Sequence, residues 1–161
     1  MASRLAARWE LPKPAKKYAG LITDGRITRP HPPRPRVAVL WPQTYMNEAG
    51  RSAGPARGAL QVELDHVLVL HDEIDLKFGD IRARIGGGLA GHNGLKSLKR
   101  ELGSADFARV RIGVSRPDST DPDIVAGYVL GRWRQPREEV DALIERAADV
   151  AERIVLGETP L

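Results

Sequence analysis

Three short clusters hold the side chains best able to do chemistry. In the first, Trp41-Pro-Gln-Thr-Tyr-Met-Asn47, a short apolar stretch delivers an aromatic ring, a thioether and a carboxamide. Asn47 can donate and accept hydrogen bonds at once, which suits a carbonyl or a bound water, and equally a helix cap ahead of Glu48. The second, His71-Asp-Glu-Ile-Asp75, sets three carboxylates beside one imidazole. Such a group can orient a histidine, bind a divalent metal, or simply solvate a strand end. Metal is the least favoured, because His31, His66 and His92 complete no recognised ligand spacing. Asp72 at a strand end suits a carboxylate that fixes a histidine's tautomer and stabilises its cation. The third is the glycine-rich run Gly86-Gly-Gly-Leu-Ala-Gly-His-Asn-Gly-Leu95. Its glycines let backbone approach a ligand, and N–H groups at a helix start attract phosphate or carboxylate; the bland alternative is a mobile connection. It fits neither the Walker nor the dinucleotide-binding pattern, so no nucleotide cofactor is expected. Lys96, Lys99 and Arg100 follow it and favour an anion.

These clusters need elements to position them. Val37–Trp41 and Val67–Leu70 are short apolar runs, the second of the kind found in strands buried on both faces. Ile81, Ala83 and Ile85 alternate with arginines, as do Val110, Ile112 and Val114 with Arg111 and Gly113, which is strand periodicity. Asp24-Gly25, between Leu21-Ile22 and Ile27, predicts a hairpin turn, and Ile124–Leu130 a weaker strand. The four prolines of Arg29–Arg36 predict an exposed connection. Leu95, Leu98 and Leu102 predict a helix with Asn93 at its start and Gly103 at its end. Val140, Leu143, Ile144, Ala147, Ala151 and Ile154 predict a long C-terminal helix opened by Glu138 and Glu139. A helix over Glu48–Leu60 is expected to kink or shorten at Pro55. Strands interleaved with helices make one α/β domain over residues 1–161, a mixed β-sheet flanked by helices.

Composition narrows the functions. The absence of cysteine among the 161 residues excludes disulfides, thiolate catalysis and cysteine-bound zinc. No apolar run reaches the roughly 18–20 residues of a membrane span, nor is there a signal-peptide core, so a cytoplasmic setting is expected. The net charge is +4, and the first 46 residues carry nine Lys/Arg against two acids. That segment favours a polyanionic partner, RNA or DNA before membrane, unless it is only a solvated basic surface.

Taken in order, Pro-x-Thr-Tyr-Met-Asn, His-Asp-Glu-x-Asp-Leu and Gly-Gly-Gly-x-x-Gly-His-Asn-Gly-Leu-Lys-Ser resemble the bacterial peptidyl-tRNA hydrolase family. The likeness continues through Phe107–Val114, Tyr128–Gly131 and the C-terminal helix. It implies a monomeric, cytoplasmic α/β domain without metal or other cofactor, which cleaves the ester between a peptide and the tRNA 3′ ribose. It implies that Tyr45, Asn47 and Asn93 contact substrate and tRNA, with Met46 packed beside them and His92 lining the cleft. Asp72 matches the carboxylate that orients the catalytic histidine. Lys96, Lys99 and Arg100 would hold acceptor-stem phosphates, and His71 receives no catalytic role.

One departure stands beside the likeness. The family begins with a central strand ending in Asn-Pro-Gly and a Thr-Arg-His-Asn segment whose histidine is the general base, and neither occurs in this sequence. Met1–Trp9 resembles the helix that comes just after. The expectation is a domain incomplete at its N-terminus, lacking the family's first central strand and inactive for want of the base. Two other readings remain: a non-catalytic RNA-binding protein of the same fold, and a metal-assisted hydrolase built on His71, Asp72 and His92.

Overall fold

Tyr18 and Ala19 both take positive φ, and this left-handed pair turns β1 (Ala15–Lys17) back onto β2 (Gly20–Arg26). The chain then crosses the exposed, proline-rich Arg29–Arg36 segment and returns as β3 (Arg36–Pro42), antiparallel to β2 from Arg26↔Arg36 to Gly20↔Pro42. The predicted Asp24-Gly25 turn is therefore incorrect. Both residues lie inside β2 opposite Ala38 and Val37, and Asp24 takes the guanidinium of Arg36 at 2.6 Å. These coordinates form a computed structural model that describes residues 1–159 and residue 161.

A second three-stranded sheet carries the chemistry-bearing clusters. β4 (Leu68–Glu73) runs parallel to β6 (Ala108–Gly113), and β5 (Ile81–Ile85) pairs antiparallel on the far side, giving the order β4-β6-β5. The expected mixed sheet is thus two sheets, one antiparallel and one mixed. An apolar core joins them. Leu5 and Trp9 of α1 (Ala2–Arg8 with its closing residue), Ile27, Val39, Val110, and Ala148 and Ala151 of α5 (Arg137–Val155) pack together, with Leu68, Leu70 and Ile112 against them. On the opposite face of β4, Val67 and Val69 meet Leu95, Leu98, Leu102 and Phe107. The two-faced apolar run is thus packed on both sides. Its residues stay only half-buried because β4 has one hydrogen-bonded neighbour among the described residues.

The helices follow their caps. α2 (Gly50–Leu60) continues through Pro55 to a left-handed Gln61. α3 (Asn93–Leu102) stops at Gly103, φ 80°, and α5 carries Val140, Leu143, Ala147 and Ala151 inward. Ile124–Leu130 belongs to a helix, α4 (Pro122–Leu130), and the strand reading is corrected. Asp121 accepts from the Asp123 N–H at 2.9 Å and Pro122 opens the first turn, a start signal that outweighs the β-branched content. No helix among the described residues is long and apolar enough to cross a membrane.

Candidate active site at the carboxyl end of the mixed sheet

β4 and β6 are parallel, so their carboxyl ends lie together, and β4 ends on His71, Asp72 and Glu73. Parallel strands of α/β domains gather ligands at this end. α3 delivers the second half of the site. His92, rather than the expected Asn93, is its N-cap: ring Nδ1 accepts from the Leu95 N–H at 3.2 Å. Because Nδ1 is the acceptor, the imidazole proton resides on Nε2, which donates to Asp72 Oδ1 at 2.9 Å. One hydrogen bond therefore fastens the start of α3 to the end of β4.

This pair sets the electrostatics. Burial alone would push the Asp72 carboxyl up, but the hydrogen bond from His92 outweighs it and holds the group below its ordinary value. His71 lies beside them, its ring edge-on to that of His92 with centroids 5.1 Å apart. Its Nδ1 donates to the Asp72 carbonyl at 2.8 Å, while its buried Nε2 has no partner. Burial lowers the pKa of His71 and keeps it neutral.

The Trp41–Asn47 cluster reaches the same place through α3. Met46–Glu48 forms a 3-10 turn, and Met46 Sδ presses against Gly94 so closely that a Cβ there would meet it at 2.8 Å. Gly50 N donates to the buried Ser97 hydroxyl at 2.8 Å, welding α2 to α3. Tyr45 is 81% exposed, and Met46 and Asn47 are exposed too. Asn47 caps no helix; the residue ahead of the turn is Tyr45, without a side-chain cap. Asn93 is also exposed, in the first turn of α3. The structure thus joins Asp72 to His92 and seats Met46 against Gly94 in the same turn of α3, with Tyr45, Asn47 and Asn93 exposed beside these residues in the chain. Lys96, Lys99 and Arg100 project from α3 into solvent, the last two in the turn farthest from His92.

The three carboxylates of His71–Asp75 do not converge. Asp72 serves His92, Glu73 is buried 3.6 Å from Arg111 Nε, and Asp75 takes the guanidinium of Arg116. With His92 engaged at both ring nitrogens and His71 turned to a carbonyl, these residues do not fit a metal. No group of three such side chains is placed to hold one among the described residues.

Two charge features escaped the sequence reading. Four of the nine cations in the first 46 residues are matched within the chain: Arg4 and Arg8 on acids of α5, Arg29 on Glu158 and Arg36 on Asp24. Meanwhile the antiparallel register sets Arg82 opposite Arg111 and Arg84 opposite Arg109, so like charges face each other across β5 and β6. Their alternation was visible in the sequence, but the register that stacks them is not local.

Fold and site define an α/β domain with a carboxylate–imidazole pair at the ends of parallel strands, flanked by two solvent-facing carboxamides. A sequence model of the family described as peptidyl-tRNA hydrolase matches residues 1–159, and the chain belongs to that family. It is 42% identical over 164 residues to a peptidyl-tRNA hydrolase of Mycobacterium avium, covering 99% of this chain and 82% of that one. One from Mycobacterium sp. strain KMS is 47% identical over 145 residues, covering 89% and 71%. Among solved structures, the crystal structure of peptidyl-tRNA hydrolase from Acinetobacter baumannii superposes with a TM-score of 0.82 at 30% identity, covering 98% of this chain and 77% of that chain. The family match spans the chain from its first residue, which gives the expected N-terminal incompleteness no support.

Proposed function

We propose that the chain acts on peptidyl-tRNA, gripping the acceptor end and placing its 3′ ester between Asn47 and Asn93 beside the Asp72–His92 pair. The observation that carries this is the pair of exposed carboxamides, without side-chain partners among the described residues, around a carboxylate whose ionised form is already secured. A carboxamide donates to an ester carbonyl as readily as it accepts from a ribose hydroxyl. Phosphates would meet Lys96, Lys99 and Arg100, with Arg82, Arg84 and Arg111 as a second basic surface.

The general base is the open part. His31 is exposed in the proline-rich connection, and His66 is exposed at the amino end of β4, away from the site. His71 is enclosed, and His92 has no free ring nitrogen. None of these four is placed to activate a water. The second carboxylate oxygen of Asp72 has no side-chain partner among the described residues and suits a further imidazole, as in the family's Thr-Arg-His-Asn segment. With none of these imidazoles placed as base, the site then binds the substrate and cleaves it slowly, about 10²–10⁴-fold below a relative with its base in place.

The test is release of the blocked amino acid from N-acetyl-aminoacyl-tRNA, with binding measured in parallel on an amide-linked analogue. Binding with slow cleavage is expected, and free imidazole supplied in solution should accelerate it. Full activity from the 161 residues would overturn the assignment of the base. Binding that never leads to cleavage, even with added imidazole, would favour a non-catalytic RNA-binding protein.

A further inference from the structure

Arg109 is the least expected side chain of the core. It lies on β6 with 2% of its surface exposed, and no acid comes within ion-pair distance of its guanidinium among the described residues. Its partners are all main-chain carbonyls: Gly88 at 2.8 Å and Gly87 at 3.3 Å in the glycine-rich run, and Ala105 at 2.8 Å beside the end of α3. The guanidinium carbon lies 4.8 Å from the centre of the Phe107 ring, and Nε has no partner. A buried cation without a counter-ion is a costly way to add stability, so its placement calls for a reason of specificity.

The glycine-rich run supplies that reason. Gly86, Gly87, Ala90 and Gly91 all take positive φ, and the run leaves the sheet after Gly86 N donates to the Phe107 carbonyl at 3.1 Å. Its far end is held by His92, which donates its own N–H to the Leu89 carbonyl at 2.8 Å and its ring proton to Asp72. Between these anchors, the Arg109 guanidinium hydrogen-bonds the Gly87 and Gly88 carbonyls, while the Arg84 side chain only packs against Gly87. Residues with left-handed backbone and no ladder partners would otherwise sample many conformations.

We propose that Arg109 is a positioning residue, a buried guanidinium that fixes the Gly86–Gly91 loop so that its backbone and the following His92 and Asn93 meet the acylated 3′ end in one geometry. It touches no substrate. The assignment rests on the function proposed above and adds to it the element that sets discrimination for the acylated end.

The test uses Arg109→Met, which keeps length and burial but removes the donors, and Arg109→Lys, which keeps the charge but cannot span three carbonyls. Three quantities are read on the full chain: folded fraction at the assay temperature, amide hydrogen exchange over residues 86–92, and affinity for amide-linked acyl-tRNA against deacylated tRNA. In both variants loop exchange should rise about ten-fold or more. Affinity for the acylated analogue should fall about ten-fold, with deacylated tRNA affected less than about two-fold. Arg109→Lys keeps the test decisive should Arg109→Met fold poorly. A loss that follows the folded fraction and is equal for both ligands would reduce Arg109 to a structural residue and overturn the proposal, as would unchanged loop exchange. If the unsubstituted chain does not distinguish acylated from deacylated tRNA, the functional reading falls and the substrate part of this assignment with it. Loop exchange would still decide whether the guanidinium holds the loop.

Discussion

The Asp72 carboxylate and the His71 imidazole respond to acid in two separable steps. Burial disfavours the charged form of His71, so its folded pKa lies below the ordinary 6.5. An unfolded chain then binds protons more readily than the folded one as pH drops below 6.5, and stability declines through that window. Asp72 is also held below its ordinary value, 3.8, so its contribution is complete above that pH and disappears as pH falls through the depressed value. Asp72→Asn should cost about 1.5–3 kcal/mol at pH 7, the range for hydrogen bonds to charged groups, and much less at pH 3. His71→Gln should remove the first step and leave the second. Thermal unfolding of the three proteins from pH 8 to pH 3 checks both. An Asp72→Asn deficit that stays constant with pH would show that the carboxylate's charge is not what holds His92.

At the scale of elements, the glycines under the site separate stability from recognition. A Cβ on Gly50 would come within 2.4 Å of the Ser97 carbonyl oxygen, where two backbones meet and neither can withdraw. Gly50→Ala should therefore destabilise by about 1–3 kcal/mol, lowering Tm by about 2–4 °C per kcal/mol. A Cβ on Gly94 would instead meet Met46 Sδ at 2.8 Å and His92 Cε1 at 2.9 Å. Met46 is flexible and half-exposed, so it gives way, and alanine's better helix propensity offsets about 1 kcal/mol. Gly94→Ala should keep Tm within a few degrees while displacing the Tyr45–Asn47 turn and weakening acyl-end binding. A Gly94→Ala protein that binds normally would show that this turn does not hold the substrate.

The same scale shows what the sequence could reveal. α3, α5, β5 and β6 were legible because their apolar spacing is local and each buries one face. α4 was not: none of its residues is buried, so Ile124, Val125, Val129 and Leu130 offered a run without a period. Its Asp121-Pro122 start was the better signal. The hairpin was misplaced because Tyr18-Ala19, an unremarkable pair by composition, takes the left-handed turn, while Asp24-Gly25 is held in register by Arg36. At the site, residue types singled out the clusters, but that Asp72 would find His92, twenty positions on, depended on the packing of α3 against β4.

For the whole molecule, net charge is a poor guide to where a polyanion binds. The cations of α1 face the acids of α5: Arg8 bonds Glu145 at 2.7 Å and Asp149 at 2.8 Å, and Trp9 Nε1 donates to Glu152 at 3.1 Å. These groups hold the termini of the domain together and have few free charges to offer a phosphate. Lys96 and Lys99 on α3, and Arg82 and Arg84 on β5, are exposed with no acidic partner among the described residues. Each phosphate neutralised by such a side chain releases counterions and steepens the fall of affinity with salt. Lys99→Ala should therefore weaken tRNA binding and reduce the slope of log K against log salt by about 1, with Arg84→Ala doing the same. Arg8→Gln should leave that slope unchanged while lowering Tm, since its charge is spent within the fold. Asn93→Ala, a contact to the ester end, should weaken acylated tRNA alone and leave the slope unchanged. Titrations of the four variants between 50 and about 200 mM salt separate these outcomes. A slope that drops as far for Arg8→Gln as for Lys99→Ala would place the RNA against α1 instead, and so on the opposite side of the core from His92.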